Sequence, residues 1–215
     1  MELRPLKISK SNKLILFFAG FASDPSHYAH LDSTNSVIMC YDYRNLSFDY
    51  EFLETNMRGK NRLEIVAYSM GVSIASKFFK NINAHKSIAM CGTTIGIHKN
   101  YGIDPRSFRH SIKNFRIKDF KLALFGDCEL EITQNFTFRN EEILKEELSS
   151  IYKYCMDNQN PQIAWDKIYI ASKDSIFTPN ACRDYFTNSN NIKTIDSYHY
   201  PFFSFDSWDE ICDID

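Results

Sequence analysis

The sequence has little of what breaks or staples a chain. Seven glycines and six prolines in 215 residues leave no room for a collagen-like, linker-rich or low-complexity architecture. Those glycines form neither a G-x-G-x-x-G nor a P-loop pattern, so no nucleotide cofactor is indicated. No two of the six cysteines (Cys40, Cys91, Cys128, Cys155, Cys182 and Cys212) are spaced as C-x-x-C, which argues against a zinc knuckle or thioredoxin-type site. Several sit in apolar runs, such as Ile38-Met39-Cys40 and Ala89-Met90-Cys91, where a free thiol serves as a small hydrophobe. No apolar run nears the roughly 18 residues of a membrane span. The first residues, Met1-Glu2-Leu3-Arg4-Pro5-Leu6, lack the apolar core and cleavage site of a secretory signal. Charge of one sign is also lacking. Twenty-five basic and 27 acidic side chains give a net charge of −2, with no overall pull toward nucleic acid or anionic membrane. The expectation is a reduced, cytoplasmic globular protein.

What is there is a core. Hydrophobic residues make up 44% of the chain, enough for one domain carrying an insertion. Short apolar runs alternate with amphipathic segments, the pattern of a parallel sheet with helical crossovers. Strands are expected at 13–18, 36–41, 63–68, 86–91 and 167–171, with a weaker one at 191–195. Helices are expected at 47–58 and 71–81, the second with Val72, Ala75 and Phe79 on one face, and again from Pro179. Residues 93–161 break the alternation with two helix-like stretches, 105–118 and 140–157, and a β-like run from Ile132 to Phe138. They read as a lid insertion into a core made of residues 1–92 and 162–215.

Ala67-Tyr68-Ser69-Met70-Gly71 falls between a strand and a helix, where a nucleophile elbow lifts a Ser hydroxyl above the sheet edge. Small neighbours are needed there because strand and helix approach closely, and Ala67 stands where a Gly is usual. The bland alternative is a plain turn with Ser69 capping the helix. Asp174, just past a strand end, can orient an imidazole, and His199 in an aromatic loop suits a general base. Taken singly, each is more often an ordinary loop residue. Together Ser69, Asp174 and His199 follow the chain order of an α/β-hydrolase triad. The turn Phe18-Ala19-Gly20-Phe21-Ala22-Ser23 can aim the Phe21 N–H into the site, completing an oxyanion hole with the N–H of Met70. Its alternative is a βα turn with Gly20 at an unusual backbone angle.

Rivals are weaker. His27 and His30 are three residues apart with no third ligand nearby, and read as exposed histidines at a helix start. Asp42 follows a strand, but no imidazole follows it at a suitable point. Asp196 is only three residues before His199, too constrained to orient it. No metal and no organic cofactor are expected.

With Phe-Ala-Gly-Phe at 18–21, Tyr-Asp-Tyr at 41–43, Tyr-Ser-Met-Gly-Val at 68–72 and His-Tyr-Pro-Phe at 199–202, the chain resembles the BioG family over nearly its whole length. Cys91-Gly92-Thr93 and Tyr101-Gly102-Ile103-Asp104 strengthen the resemblance, which a bare Ser-x-Gly would not carry. Members are pimeloyl-[acyl-carrier protein] methyl ester esterases of biotin synthesis. The resemblance implies a pimeloyl methyl ester on an acyl carrier protein as substrate, with Ser69 as nucleophile, His199 as base and Asp174 as acid. Apart from the resemblance, Arg106, Arg109, Lys113 and Arg116 recur at helical spacing, backed by Phe108, Ile112 and Phe115. Such a stripe suits a lid helix that meets an acidic carrier protein, the alternative being a solvated face. Glu141, Glu142, Glu146 and Glu147 read as surface or as ion-pair partners for it. A monomer with no nucleic-acid or membrane partner is expected. The alternatives are an acyl thioesterase or short-chain esterase on the same triad, and a silent hydrolase fold that only binds carrier protein.

Overall fold

Each of the six apolar runs becomes a strand, and a seventh precedes them. The computed structural model describes residues 1–127, 133, 136–158 and 163–213. The strands are β1 (Glu2–Lys7), β2 (Lys13–Phe18), β3 (Ser36–Tyr41), β4 (Arg62–Tyr68), β5 (Lys86–Met90), β6 (Lys167–Ala171) and β7 (Ile192–Ile195). They form one sheet in the order β1-β3-β2-β4-β5-β6-β7. All neighbours are parallel except β1, which pairs antiparallel with β3 at the edge. β1 was not expected, because it is largely exposed and carries Pro5, next to which its register shifts. An edge strand tolerates a proline that a central one would not.

Strand β2 shows why the sheet is central. All six of its residues are buried, and its alternating side chains feed two cores, Leu14, Leu16 and Phe18 on one face and Ile15 and Phe17 on the other. Near-continuous apolar runs are what a parallel sheet covered on both faces requires.

The crossovers are α1 (Tyr50–Met57) and α2 (Met70–Ser76), the latter shorter than expected and followed by a 3-10 turn at Phe79–Asn81. Between β5 and β6 lie α3 (Pro105–Asn114), α4 (Ile117–Phe125) and α5 (Glu141–Asp157). The stretch expected as one helix over 105–118 is broken, because Phe115 and Arg116 are extended. Glu141 Oε1 accepts the Ile117 N–H at 3.0 Å, satisfying from another helix the start of α4 that Arg116 leaves uncapped. The β-like run from Ile132 falls largely outside the described residues, and its part from Phe136 is not a strand. The expected boundary at 161–162 also lies outside them. Finally α6 (Pro179–Tyr185) starts at its proline, and α7 (Trp208–Asp213) seals one face with Trp208.

Helix α2 packs onto β2 so tightly that Gly71 has no room for a side chain. A Cβ there would lie 2.2 Å from Phe18 O and 2.4 Å from Ala19 O. Gly71→Ala should therefore destabilise the fold by about 1–3 kcal/mol through overpacking. A urea midpoint equal to wild type would mean that helix and strand can separate freely here.

Candidate active site

Among the described residues, four non-glycine residues hold a left-handed backbone, Ala22 (φ 59°), Asp42 (φ 57°), Ser69 (φ 56°) and Cys91 (φ 48°). They follow the C-terminal ends of β2, β3, β4 and β5, four strands that lie side by side. Strain of this kind persists only where the surroundings over-determine it. At Ser69 the surroundings are two glycines and a hydrogen bond. A Cβ on Gly92 would lie 2.3 Å from Ser69 O, Gly71 lets the helix close in, and the Ser69 N–H donates to Met90 O at 2.8 Å.

The strained turn turns the Ser69 hydroxyl away from the helix. Ser69 makes no side-chain capping bond to α2. Its Oγ is instead 2.8 Å from His199 Nε2, and His199 Nδ1 is 2.7 Å from Asp174 Oδ2. An ionised Asp174 only accepts, so Nδ1 carries the proton and Nε2 is left to accept from the serine hydroxyl. The other oxygen, Asp174 Oδ1, accepts the N–H groups of Ile176 (2.8 Å) and Phe177 (2.9 Å), fixing the carboxylate. The loops after β6 and β7 are laced together by Ser172 N–H to Ile195 O and Lys173 N–H to Ser197 O, which holds Asp174 opposite His199. Ser69, Asp174 and His199 are 4%, 4% and 1% exposed. Rings of Tyr68 and Phe177 flank the imidazole, 5.2 and 6.2 Å between centroids.

The rivals are occupied elsewhere. Asp42 is bound by Arg44 at 2.7 Å and by Arg139, and the Arg44 guanidinium beside it holds its carboxyl far below the usual range. Asp196 is exposed and pairs with Lys173 at 2.9 Å. His27 corrects the expectation of an exposed histidine. It is buried, stacked on Phe136, with Nε2 2.7 Å from Thr137 O, and burial lowers its pKa. Among the described residues no group of three or more His, Cys, Asp or Glu side chains is placed to hold a metal.

Gly20 serves close approach rather than an unusual angle. Its φ is not left-handed, but a Cβ would fall 2.9 Å from the Tyr68 ring and 3.1 Å from Ser69 Cβ. Phe21, the next residue, lines the same cavity as Ser69. Met70 opens α2, so its N–H has no intrahelical acceptor. Neither it nor the Phe21 N–H donates to any described residue. Ser69 and His199 open into a cavity of about 1290 Å³, also lined by Phe108 of α3, Phe115 of the extended link, and Phe120 and Leu124 of α4.

The model of the family described as pimeloyl-ACP methyl esterase BioG matches residues 4–211. The chain belongs to that family. Its general function is ester hydrolysis. The crystal structure of BioG from Haemophilus influenzae superposes with a TM-score of 0.89 at 25% identity, covering 99% of this chain and 100% of that one. An enol-lactonase from Burkholderia xenovorans (TM-score 0.63, 13% identity, 92% and 88% covered) shares the α/β-hydrolase fold. A malonyl-[acyl-carrier protein] O-methyltransferase from Bacteroides fragilis is 33% identical over 198 residues, 86% of this chain but 39% of that longer one.

In this BioG-family chain the basic stripe is only partly as expected. Arg106, Arg109 and Lys113 are exposed on α3, with Arg109 Nη1 donating to the Tyr152 hydroxyl at 2.9 Å. Arg116 leaves the stripe, because the helix ends before it, and pairs with Asp119 at 2.7 Å. Glu147 reverses its reading as surface. It is 3% exposed, with Oε1 accepting the Tyr43 N–H at 3.1 Å and Oε2 the Ala22 N–H at 3.3 Å. The pattern Leu144, Glu147, Leu148, Ile151, Tyr154, Cys155, all buried, was the signal that places this glutamate on the apolar face.

Burial raises the Glu147 pKa from 4.5 to about 7, helped by the Asp42 carboxylate and opposed by the two N–H groups and Arg139. The folded state thus holds this proton more tightly than the unfolded one. The resulting stability is complete below about pH 4.5 and is lost as pH rises through about 7. Glu147→Gln should remove this slope, so wild type loses urea resistance relative to the variant between about pH 5 and 8. Parallel curves for the two proteins would show that Glu147 does not titrate there.

Proposed function

We propose that the chain hydrolyses the methyl ester of a pimeloyl group carried on acyl carrier protein, through an acyl-enzyme formed on Ser69. The observation that carries this reading is the hydrogen-bonded line Ser69–His199–Asp174, at 2.8 and 2.7 Å. Ser69 Oγ attacks the ester carbonyl while His199 Nε2 takes its proton, and the Asp174 carboxylate stabilises the imidazolium. The N–H groups of Phe21 and Met70 receive the oxyanion. Collapse of the intermediate breaks the bond to the methoxy group, which leaves as methanol with the proton from His199. Water then gives a proton to His199 and attacks the acyl-enzyme; collapse breaks the bond to Ser69 Oγ, which takes that proton back from His199, and the acid product leaves as its carboxylate.

The substrate class draws support from three sides. The family description names a pimeloyl-ACP methyl ester, and the Bacteroides relative is named for O-methylation of a carrier-protein acyl group. The cavity, about 1290 Å³, exceeds the ~300–1,000 Å³ usual for small-molecule sites. That room favours a long acyl arm over a short-chain ester. Its wall of α3 and α4 suits the role of a lid. The exposed Arg106, Arg109 and Lys113 suit an acidic partner.

Ser69→Ala should abolish turnover with the fold intact, a loss of about 10⁶ in kcat, and should prevent covalent labelling by a fluorophosphonate. Asp174→Asn should cost about 10⁴, and Asp42→Asn far less in rate, its loss falling on the ion pairs with Arg44 and Arg139. Activity in Ser69→Ala above a tenth of wild type, or a reversed order of the two acid variants, would overturn the assignment.

The docking surface has its own test. Arg109 also holds Tyr152, so Arg106 and Lys113 are the cleaner pair to reverse to Glu. The double variant should raise KM for the carrier-protein ester, leave kcat nearly unchanged, and hydrolyse a free pimelate methyl ester at the wild-type rate. Salt should bring wild type toward the variant. An unchanged KM would return these residues to a solvated face.

A further inference from the structure

Glu147 is a buried ionisable group that the proposed chemistry leaves unused. Its two carboxylate oxygens do not meet a lysine or arginine: among the described residues it forms no ion pair within 4 Å. They accept instead the N–H of Ala22 and the N–H of Tyr43, one from the turn after β2 and one from the turn after β3. Both turns carry a left-handed residue at that point, Ala22 itself and Asp42 just before Tyr43. The Tyr43 hydroxyl in turn donates to Ala19 O at 2.7 Å, tying the second turn back to the first.

Phe21 lies between these restraints. On its N-terminal side Gly20 presses against Ser69 and Tyr68, and on its C-terminal side Ala22 hangs from Glu147. Its ring is clamped edge-on against Phe115 and Phe120, each 5.3 Å away. We infer that Glu147 is a positioning residue, whose carboxylate holds the turn of residues 19–22 from helix α5 and so fixes the Phe21 N–H where the oxyanion forms. The inference rests on the reading of Ser69 as nucleophile and Phe21 as oxyanion donor. An oxyanion donor acts by being preorganised, so a small displacement of its turn reduces the rate while leaving ester binding nearly intact.

The test compares Glu147→Gln with wild type at a pH above about 8, where the wild-type side chain is ionised. Glutamine keeps the shape but offers one accepting oxygen, so one of the two turns faces an NH₂ group instead of an acceptor. With free pimelate methyl ester, kcat should fall about tenfold or more while KM stays within about twofold. Affinity for a trifluoromethyl ketone, which forms a tetrahedral oxyanion on serine, should fall in proportion to kcat/KM. Binding of the intact ester in a Ser69→Ala background should not change. Should the amide variant fail to fold, Glu147→Asp, which keeps the charge but cannot span both turns, gives the same comparison. Wild-type kcat and ketone affinity in a folded variant, with only a lower melting temperature, would reduce Glu147 to a structural residue and overturn the inference. No fluorophosphonate label on Ser69 of wild type would overturn the nucleophile assignment beneath it, a separate and distinguishable failure.

Discussion

The contact between β2, the start of α2 and the turn after β5 leaves Ser69 no ordinary backbone conformation. Phe18 O and Ala19 O stand where a side chain at position 71 would be, and Ser69 O stands where one at position 92 would be. With the helix this close, the chain must reverse within one residue, and that residue sits at φ 56°. Holding a non-glycine residue so costs on the order of 1–3 kcal/mol. Burying one large apolar side chain contributes about 1.5–3 kcal/mol, and Phe18, Ile65, Val66 and Met90 around the elbow are all fully buried. The burial outweighs the strain several times over. The hydroxyl that results is aimed at an imidazole because the backbone has no relaxed alternative.

The same balance governs the buried polar groups. Glu64 and Glu147 are both shut away from water, and the fold treats them differently. Glu64 lies on β4 with Lys13 and Arg62 beside its carboxylate, so charge meets charge. Glu147 meets two backbone N–H groups, which favour the anion less than a cation in contact would, and its affinity for a proton rises accordingly. A carboxylate that only stabilised the fold would be better served by the first arrangement. The second makes sense where two backbone turns have to be held in place.

Most of the sheet could be read from the chain because buried parallel strands announce themselves locally, as in Lys13–Phe18 and Ser36–Tyr41. β1 could not, since exposure and Pro5 remove both the apolar run and the strand propensity. The site divides along the same line. Ser69, Asp174 and His199 each sit at a strand end with a recognisable local setting. The break between α3 and α4 depends on Glu141, 24 residues further on, and the need for glycine at 92 depends on a carbonyl 23 residues earlier. The burial of His27 is not legible locally because the ring that covers it, Phe136, is more than a hundred residues away in sequence. Long-range packing leaves no trace in spacing or composition.

The inserted segment looks separable in sequence, yet its side chains do not form a core of their own. Phe108, Phe115, Leu144, Leu148 and Ile151 belong to the same buried cluster as Phe18, Ile65 and Val72. Helix α3, which packs on α5 through Phe108 and Tyr152, therefore cannot swing away as a rigid lid without exposing Phe108 and Phe115, an opening that costs several kcal/mol at about 1.5–3 kcal/mol for each large side chain. Helix α5 is held as well by Glu147, whose two hydrogen bonds from the Ala22 and Tyr43 N–H groups would break if it moved. Any movement that admits an acyl arm thus has to come from the parts of this segment with the least buried area. Of the two helices that wall the cavity, that is α3, which buries Phe108 alone, whereas α4 buries both Leu124 and Phe125. Phe120 of α4 packs on the Phe21 ring and Glu147 of α5 holds the Ala22 N–H, so both helices tie the turn beside Ser69, and access has to be gained without displacing either.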